Sequence, residues 1–451
     1  MNKKLGMKDY VFVGSMLFGL FFGAGNLIFP VHMGQLAGQN VFWANIGFLI
    51  TGIGLPFLGV IAMGVSNSAS VYDLSSRVNK HYAKLFTILL YLVIGPFFAL
   101  PRLATTSYEI GIAPLVSSGN QRLALALFSI AFFALAWFYS KKPSKIIVYV
   151  GKVLNPIFLL TLGVLLVLAF INPIGSVSDM PVQASYQTQA FSNGFLEGYN
   201  TLDALAALAF GVVIISTLRN MGVTKPKDIA VDTIRSGVLS MVLMGVIYSL
   251  LAYMGAKSLG AFEISENGGI ALAQLSHYYL GQGGSLLLAL IVISACLKTA
   301  IGLVTSFSET FIELFPSRSY AFFIAVASIL PAVFANVGLT NIIDFSIPVL
   351  MFIYPLAMVL IILTLINPLF KGYQSVYFWT TAFTLLAATV DALNASLWRE
   401  AAWIQWIVNA ADQVLPLFQY GMGWLLPAIL GFFVGYAIAV TRRHHTQVQF
   451  T

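Results

Sequence analysis

Phe21-Phe22-Gly23-Ala24-Gly25-Asn26 interrupts an apolar run that extends from Tyr10 to Pro30. Two glycines flanking one alanine, followed by asparagine, make a poor continuous helix. Glycine loses the most backbone freedom on ordering, and asparagine competes for backbone hydrogen bonds. The surrounding run is nevertheless long enough to cross a hydrocarbon core, which takes about 20 apolar residues. A span must satisfy its own backbone polar groups, and an interruption is tolerated only where protein or a water-filled cavity surrounds it. The stretch therefore predicts a helix broken in mid-membrane, with backbone dipoles turned toward something polar.

The rest of the chain has the composition of a protein solvated by lipid. Of its 451 residues 59% are hydrophobic and only 9% charged, against about 25% charged in a soluble domain; mean hydropathy is +0.88. Runs such as Phe158–Ile171 and Val349–Ile366 do not alternate polar with apolar, which excludes the strands of an outer-membrane barrel and leaves an all-α polytopic membrane protein. The single cysteine, Cys296, rules out an intrachain disulfide. Lys3, Lys4 and Lys8 precede the first run as in a signal peptide, but the run is too long and has no small-residue cleavage site, so it reads as a retained first span.

Apolar runs between polar breaks predict twelve spans, at 8–36, 40–66, 82–115, 121–140, 144–171, 194–219, 228–257, 283–314, 319–336, 342–367, 373–393 and 418–441. With the N-terminus in the cytoplasm, the inner segments carry Lys3, Lys4, Lys8, Arg77, Lys80, Lys84, Lys141, Lys142, Lys145, Lys152, Arg219, Lys225, Lys227, Arg235, Arg318, Lys371, Arg442 and Arg443. The outer ones carry only Arg122, Lys257 and Arg399. Lys and Arg collect on cytoplasmic loops, so the net charge of +7 reads as topology rather than as a nucleic-acid surface, with both termini cytoplasmic. Asn172–Asn193 reads as an ordered outer loop, Asn267–Tyr279 as a short surface helix, and Trp398, Trp403 and Trp406 as an interfacial segment. No separate soluble domain is visible.

The fifth span ends Asn172-Pro173 and the tenth Asn367-Pro368, with Pro156 and Pro348 near their starts, at offsets of 195 and 192 residues. Five spans per copy is an odd number, so the second copy lies upside down. That is the inverted repeat of secondary transporters, which bind substrate at the repeat interface. The plainer explanation, that Asn-Pro ends many helices, stays open. The chain then divides into a first repeat at 8–171, a second at 194–367 and two additional helices at 373–441, in one membrane domain. A matching break is expected in the sixth span at Ala204–Gly211, where the run of alanines equally suits a small-residue packing face.

Gly23-Ala24-Gly25-Asn26-Leu27-Ile28-Phe29-Pro30, Gly95-Pro96-Phe97-Phe98-Ala99-Leu100-Pro101-Arg102, Ser107-Tyr108-Glu109-Ile110-Gly111 and Asp203-Ala204-Leu205-Ala206-Ala207 resemble the bacterial branched-chain amino acid:cation symporters. The resemblance runs from the first span to the last. It implies the five-plus-five inverted-repeat fold of the amino acid–polyamine–organocation superfamily, uptake of leucine, isoleucine and valine, and coupling to sodium. In that fold the cation site would use backbone oxygens near Gly19 and Phe22, the carbonyl of Ala295 and hydroxyls at 298 and 299. Thr299 fits, but position 298 is Lys. A lysine at mid-span costs about 2.5–3.5 kcal/mol on insertion scales, and its charge could replace bound sodium or carry a proton. A snorkelling Lys298 is the other reading.

An amino-acid zwitterion needs three kinds of contact. The free N–H groups and positive dipole of the outer half-helix near Asn26 suit a carboxylate. Freed carbonyls near Phe21 and Phe22 suit an ammonium, and Ala204, Leu205, Ala207 and Phe210 would complete the cradle and leave an apolar space. Arg102 and Glu109 lie seven apart on one span, as an outer-gate pair or a plain structural one. Tyr108 resembles a substrate-side tyrosine, with an interfacial position as the alternative, and Asp203 could polarise the gate or relay protons. The spans are too poor in clustered His, Asp and Glu for an intramembrane enzyme. A non-transporting receptor would usually add a signalling domain. The expectation is a non-enzymatic multi-pass carrier in a bacterial cytoplasmic membrane, with a branched-chain amino acid as small-molecule substrate, Na+ or H+ as coupling ion, no other cofactor, no nucleic acid and no obligate protein partner.

Overall fold

A computed structural model describes residues 5–141 and 155–448. Lys3, Lys4, Lys142, Lys145, Lys152 and the first part of the fifth span lie outside them. Among the described residues every regular element is helical.

The first span is two helices, α1 (Met7–Phe21) and α2 (Ala24–Ala37), separated by extended Phe22 and Gly23. The break is shorter than the sequence suggested, since Gly25 and Asn26 already belong to α2. The second span is α3 (Val41–Leu49) and α4 (Leu55–Ser66), joined through a widened helical turn at Ile50–Gly54. After the short α5 (Val71–Ser75), α6 (Lys80–Leu92) and α7 (Ala99–Gly111) form the third span around Val93–Phe97. There Gly95 leaves helical geometry and Pro96 removes a donor. Then come α8 (Gln121–Ser140), α9 (Asn155–Ile171), α10 (Ala184–Glu197), α11 (Asp203–Asn220) and α12 (Pro226–Ser258). Next are α13 (Gly268–Leu314), α14 (Tyr320–Ala335) and α15 (Leu339–Leu365), and last α16 (Gln374–Asn394), α17 (Ala402–Val414) and α18 (Leu425–Val448).

Two readings change here. The loop expected at Asn172–Asn193 becomes helical at Ala184, and the sixth span is the pair α10 and α11. Its break falls at Gly198–Leu202, upstream of Ala204–Gly211, which is helix. The predicted surface helix at Asn267–Tyr279 is the start of α13, set off from the eighth span by Gly281 at φ +63°. Seven helical stretches among the described residues are long and apolar enough to cross a membrane, or eight if the helix bent by 41° between Gly211 and Val213 is included. Leu159–Ile171, Tyr320–Ala335 and Leu425–Thr441 are shorter. Trp398, just before α17, and Trp403 and Trp406, within it, are exposed.

The helices pack in exchanged pairs. α1 lies along α12 and α10 along α3; α2 meets α12 and α11 meets α4; α8 packs on α13 and α14 on α7; α9 touches α12 and α13 as α15 touches α4 and α7. Each pair turns into its counterpart when first-half and second-half helices are swapped, as two five-helix halves built alike require. α16 packs on α15 and α18 on α16, outside the repeat.

Basic loops gather at one end of the bundle. Arg219 bonds Asn67, Arg77 donates to Tyr377 Oη at 3.4 Å, Gln374 donates to the Val78 carbonyl at 3.2 Å, and Lys84 sits over the Phe315 ring. These all come from segments the charge pattern assigned to one side. At the other end α10 and α3 approach until their backbones nearly touch. A Cβ on Gly194 would lie 1.9 Å from the Ala44 carbonyl oxygen, and one on Gly47 2.1 Å from that of Phe191. Gly34 and Gly255 make the same reciprocal contact between α2 and α12. Small residues permit this because helices in lipid associate through close packing. Gly194→Ala should therefore cost about 1–3 kcal/mol through overpacking, read as a lower thermal midpoint in detergent. Gly163→Ala, with nothing within 4 Å of its added methyl, should leave that midpoint level or higher.

Candidate functional site

The two helix breaks face each other across one cavity. α1 ends with Phe22 donating to the Phe18 carbonyl at 2.8 Å, and α2 begins at once after Gly23. A helix start leaves its first N–H groups without intrahelical partners. One of the break's donors, Gly23 N–H, is taken by Asn26 Oδ1 at 2.7 Å. In the sixth span the chain makes a tight turn from Gly198 to Thr201, and Leu202 then enters α11 in the left-handed region at φ +64°. A leucine there is uncommon and strained by about 1–3 kcal/mol. Thr201 holds the turn, its hydroxyl donating to the Gly198 carbonyl at 2.9 Å and accepting from Asp203 N–H at 3.3 Å.

Asn26 joins the breaks. Its Nδ2 donates to Asp203 Oδ2 at 2.5 Å and also bonds Tyr248 Oη, while Tyr248 donates to the same Asp203 oxygen at 3.2 Å. All three side chains are buried. Asp203 opens α11, where a negative charge is favoured by the helix dipole. One amide thus uses its oxygen on the first break and its nitrogen on the second, with α12 closing the triangle.

The cavity lies between these elements. Phe21, Gly23, Ala24, Gly25 and Asn26 form one wall; Asn200, Thr201, Leu202, Asp203 and Phe210 form the facing one. Leu20, Ile94, Ala99, Leu103, Ala206 and Leu303 give it an apolar side, and Arg102 and Thr299 complete it. At Gly25 the walls close tightly, since a Cβ would lie 3.2 Å from the Phe29 ring and 3.4 Å from the Thr201 Cα. The enclosed space is about 50 Å³. An engineered cavity of about 150 Å³ admits one benzene, so the smaller space here takes an amino acid only if its walls part.

The structure sorts the sequence-predicted residues. Phe21, Gly23, Ala24, Gly25, Asn26, Phe210, Thr299, Arg102 and Asp203 do line the cavity. Phe22 stacks on Phe18 at 4.9 Å instead. Ala204 and Ala207 turn toward α4, where a Cβ on Gly59 would sit 3.4 Å from Ala207 Cβ, and Leu205 is fully buried without lining the cavity. Tyr108 points toward the start of α8, donating to Gln121. Of the cation-site residues, Gly19 is buried within α1, and the Ala295 carbonyl accepts the Thr299 hydroxyl at 3.2 Å. Lys298 is half-buried on α13 and does not line the cavity.

Arg102 and Glu109 do not pair. Seven residues of helix rise about 10 Å, and each side chain goes elsewhere. Arg102 Nη1 donates to the Asn200 carbonyl at 2.7 Å and Nη2 to Ser346 Oγ, whereas Glu109 lines a separate cavity with His277. The residues that sequence reasoning missed include Asn200, Thr201 and Leu202 of the second break and Tyr248 of the network that joins the breaks. Gly198 and the Asn200-Thr201 pair, polar between two apolar stretches, were the available signal.

A family model described as "Branched-chain amino acid transport protein" matches residues 6–442. The branched-chain amino acid permease BrnQ of Bacillus subtilis is 44% identical over 442 residues, covering 98% of this chain and 99% of that one. Its Escherichia coli namesake is 36% identical, covering 95% of each. A branched-chain amino acid transport system 2 carrier protein of Pseudomonas aeruginosa is 37% identical, covering 93% of each. Among solved structures, inward-facing Mhp1 aligns with a TM-score of 0.62 at 12% identity, over 96% of this chain and 91% of that one. Mhp1 in a closed conformation with bromovinylhydantoin bound, described as a nucleobase-cation-symport-1 family transporter, gives 0.60 at 14%, over 96% and 93%. At such identities the likeness is one of fold.

The knot at Asn26 can be tested by truncation. Asn26→Ala strips a bond from Gly23, Asp203 and Tyr248 together, and each buried group left unpaired costs about 1–3 kcal/mol. Tyr248→Phe removes only the hydroxyl. The thermal midpoint should fall further for Asn26→Ala than for Tyr248→Phe, and an equal fall would show that Asn26 does not join the breaks.

Proposed function

This chain belongs to the branched-chain amino acid transport protein family, and from that premise we propose that it imports leucine, isoleucine and valine by alternating access at the cavity between its two helix breaks. The family comprises transporters, and the protein is a transporter of branched-chain amino acids rather than an enzyme. The site, the pose, the coupling ion and the orientation are our reading.

The observation that supports the site is the meeting of Gly23–Asn26 with Asn200–Asp203 around one cavity with a polar rim and an apolar side. The substrate's ammonium lies toward the last carbonyls of α1 and the Asp203 carboxylate. Its carboxylate lies toward the start of α2, where free N–H groups and the helix dipole favour an anion. The branched side chain lies against Leu20, Ile94, Leu103, Phe210 and Leu303. An apolar pocket separates substrates that differ by one methylene by only about 1–3 kcal/mol, so all three amino acids are accepted. We take the first repeat as 8–171 and start the second at Ala184, so that α10 is the counterpart of α1. We count twelve spans, with both termini in the cytoplasm of a bacterium.

Uptake with one coupled charge gains about 2.3 kcal/mol per 100 mV of membrane potential. Sodium or a proton supplies that charge. With Lys298 one position from Thr299, at the place where the family resemblance puts a cation ligand, the ammonium can take the place of one sodium; the carboxylate of Asp203 beside Asn26 is the other group able to hold a cation or a proton. In proteoliposomes labelled leucine should accumulate above equilibrium and be lost when the driving gradient is dissipated. No accumulation under any gradient would remove the proposal. Measured under separate sodium and pH gradients, Lys298→Thr should depend on sodium more steeply than the parent protein, by one further coupled ion. Sodium dependence unchanged between the parent and Lys298→Thr would show that Lys298 does not stand in for a sodium.

A further inference from the structure

Arg102 is buried at 3% exposure in the middle of the third span, and among the described residues that line the cavity it is the only cation. A guanidinium cannot be neutralised in a protein and carries five N–H donors. Here the terminal nitrogens bond two neutral acceptors, the Asn200 carbonyl and the Ser346 hydroxyl. The Phe29 ring lies 5.3 Å away on one face. Nε is buried with no hydrogen-bond partner.

Among the described residues no carboxylate bonds the guanidinium, although Glu197 acts on it through space. Glu197, at the end of α10, accepts from Asn200 Nδ2 at 3.2 Å, one residue removed from direct contact. Asp203, on the same cavity, is bonded by Asn26 and Tyr248. A buried charge with an idle donor is expensive unless a counter-ion arrives. Nε–H and a second hydrogen on a terminal nitrogen form one edge of the guanidinium fork, the edge that matches a carboxylate with two parallel hydrogen bonds.

We propose that Arg102 receives the α-carboxylate of the transported amino acid along its Nε edge, so that selection for a free carboxylate rests on this side chain in addition to the amides at the start of α2. The cavity then presents a cation, Arg102, and the accepting carboxyl of Asp203 to a ligand that carries a carboxylate and an ammonium. Because Arg102 also holds the Asn200 carbonyl, the ligand's acid group is joined through one guanidinium to the break in the sixth span.

This inference rests on the reading that branched-chain amino acids bind in this cavity, and the test separates the two. Purified protein in proteoliposomes is assayed for binding of labelled leucine, displaced by unlabelled leucine or by leucinamide, which has the same side chain and ammonium but no carboxylate. Hydrogen bonds to charged groups carry enough free energy that Arg102→Gln should weaken leucine about 10- to 100-fold while leucinamide changes by less than about threefold. Arg102→Lys keeps the charge but not the fork and should fall between. It also supplies the same ratio should Arg102→Gln fail to reach the membrane. Equal weakening of both ligands, or unchanged leucine affinity in the variants, overturns the role of Arg102 and leaves the transport reading intact. Parent protein that binds neither ligand overturns the transport reading, and this inference with it.

Discussion

In hydrocarbon a backbone N–H or C=O has no water to turn to, and each one left unpaired costs several kcal/mol. This structure depends on breaking that rule at two places and confining the consequences to one cavity. Phe22 and Gly23 interrupt the first span and Gly198–Leu202 the sixth, and the freed groups face each other rather than lipid. Inversion of the two halves makes this possible, since it brings equivalent interruptions to the same depth from opposite directions.

The two breaks are not chemical copies. The first is a pair of extended residues between helix ends, and its polar character comes from backbone carbonyls and amides. The second is a wound turn that ends in a strained Leu202 and places a carboxylate, Asp203, at the start of the next helix. Asn26 reconciles them with one side chain whose oxygen and nitrogen face opposite partners. An aspartate there would set two carboxylates against each other, and a leucine would satisfy neither side. The requirement for an amide at position 26 follows from the pairing.

The first break was legible in the sequence because glycine marks it: Gly23 and Gly25 within four residues have few other uses in a span. The inverted repeat was legible for a similar reason, through proline and asparagine at helix ends. The second break was not, because a leucine at positive φ leaves no mark in the sequence and the alanines after it looked like the small, adaptable element. Those alanines instead let α11 lie against α4 at Gly59. Tyr108 and the expected Arg102–Glu109 pair were misplaced because a shared helix face says nothing about which neighbour that face meets. For Arg102 the neighbour is the second break, and for Tyr108 it is Gln121. Lys298 stood out in the sequence for its charge, and it lies off the cavity that its neighbour Thr299 lines.

The size of the cavity links this architecture to movement. At about 50 Å³ it is well below the roughly 150 Å³ that admits a benzene, so binding as proposed here requires displacement of a wall. The wall formed by α2 is held to α12 by the reciprocal close approach of Gly34 and Gly255, and α10 is held to α3 by Gly47 and Gly194. Backbone-to-backbone contacts of that kind do not yield gradually, because any widening loses the packing that holds helices together in lipid. The side chains between the breaks are less constrained: the apolar wall is built of Leu20, Leu103, Leu303 and Phe210, which can change rotamer. On the reading proposed here, a ligand that enters there presses on those side chains and on the turn at Gly198–Leu202, which holds a leucine at positive φ. A ligand can shift the balance between two conformations only by its difference in affinity for them. In this protein that difference arises where the second break must let go of, or hold, the groups that now close the cavity.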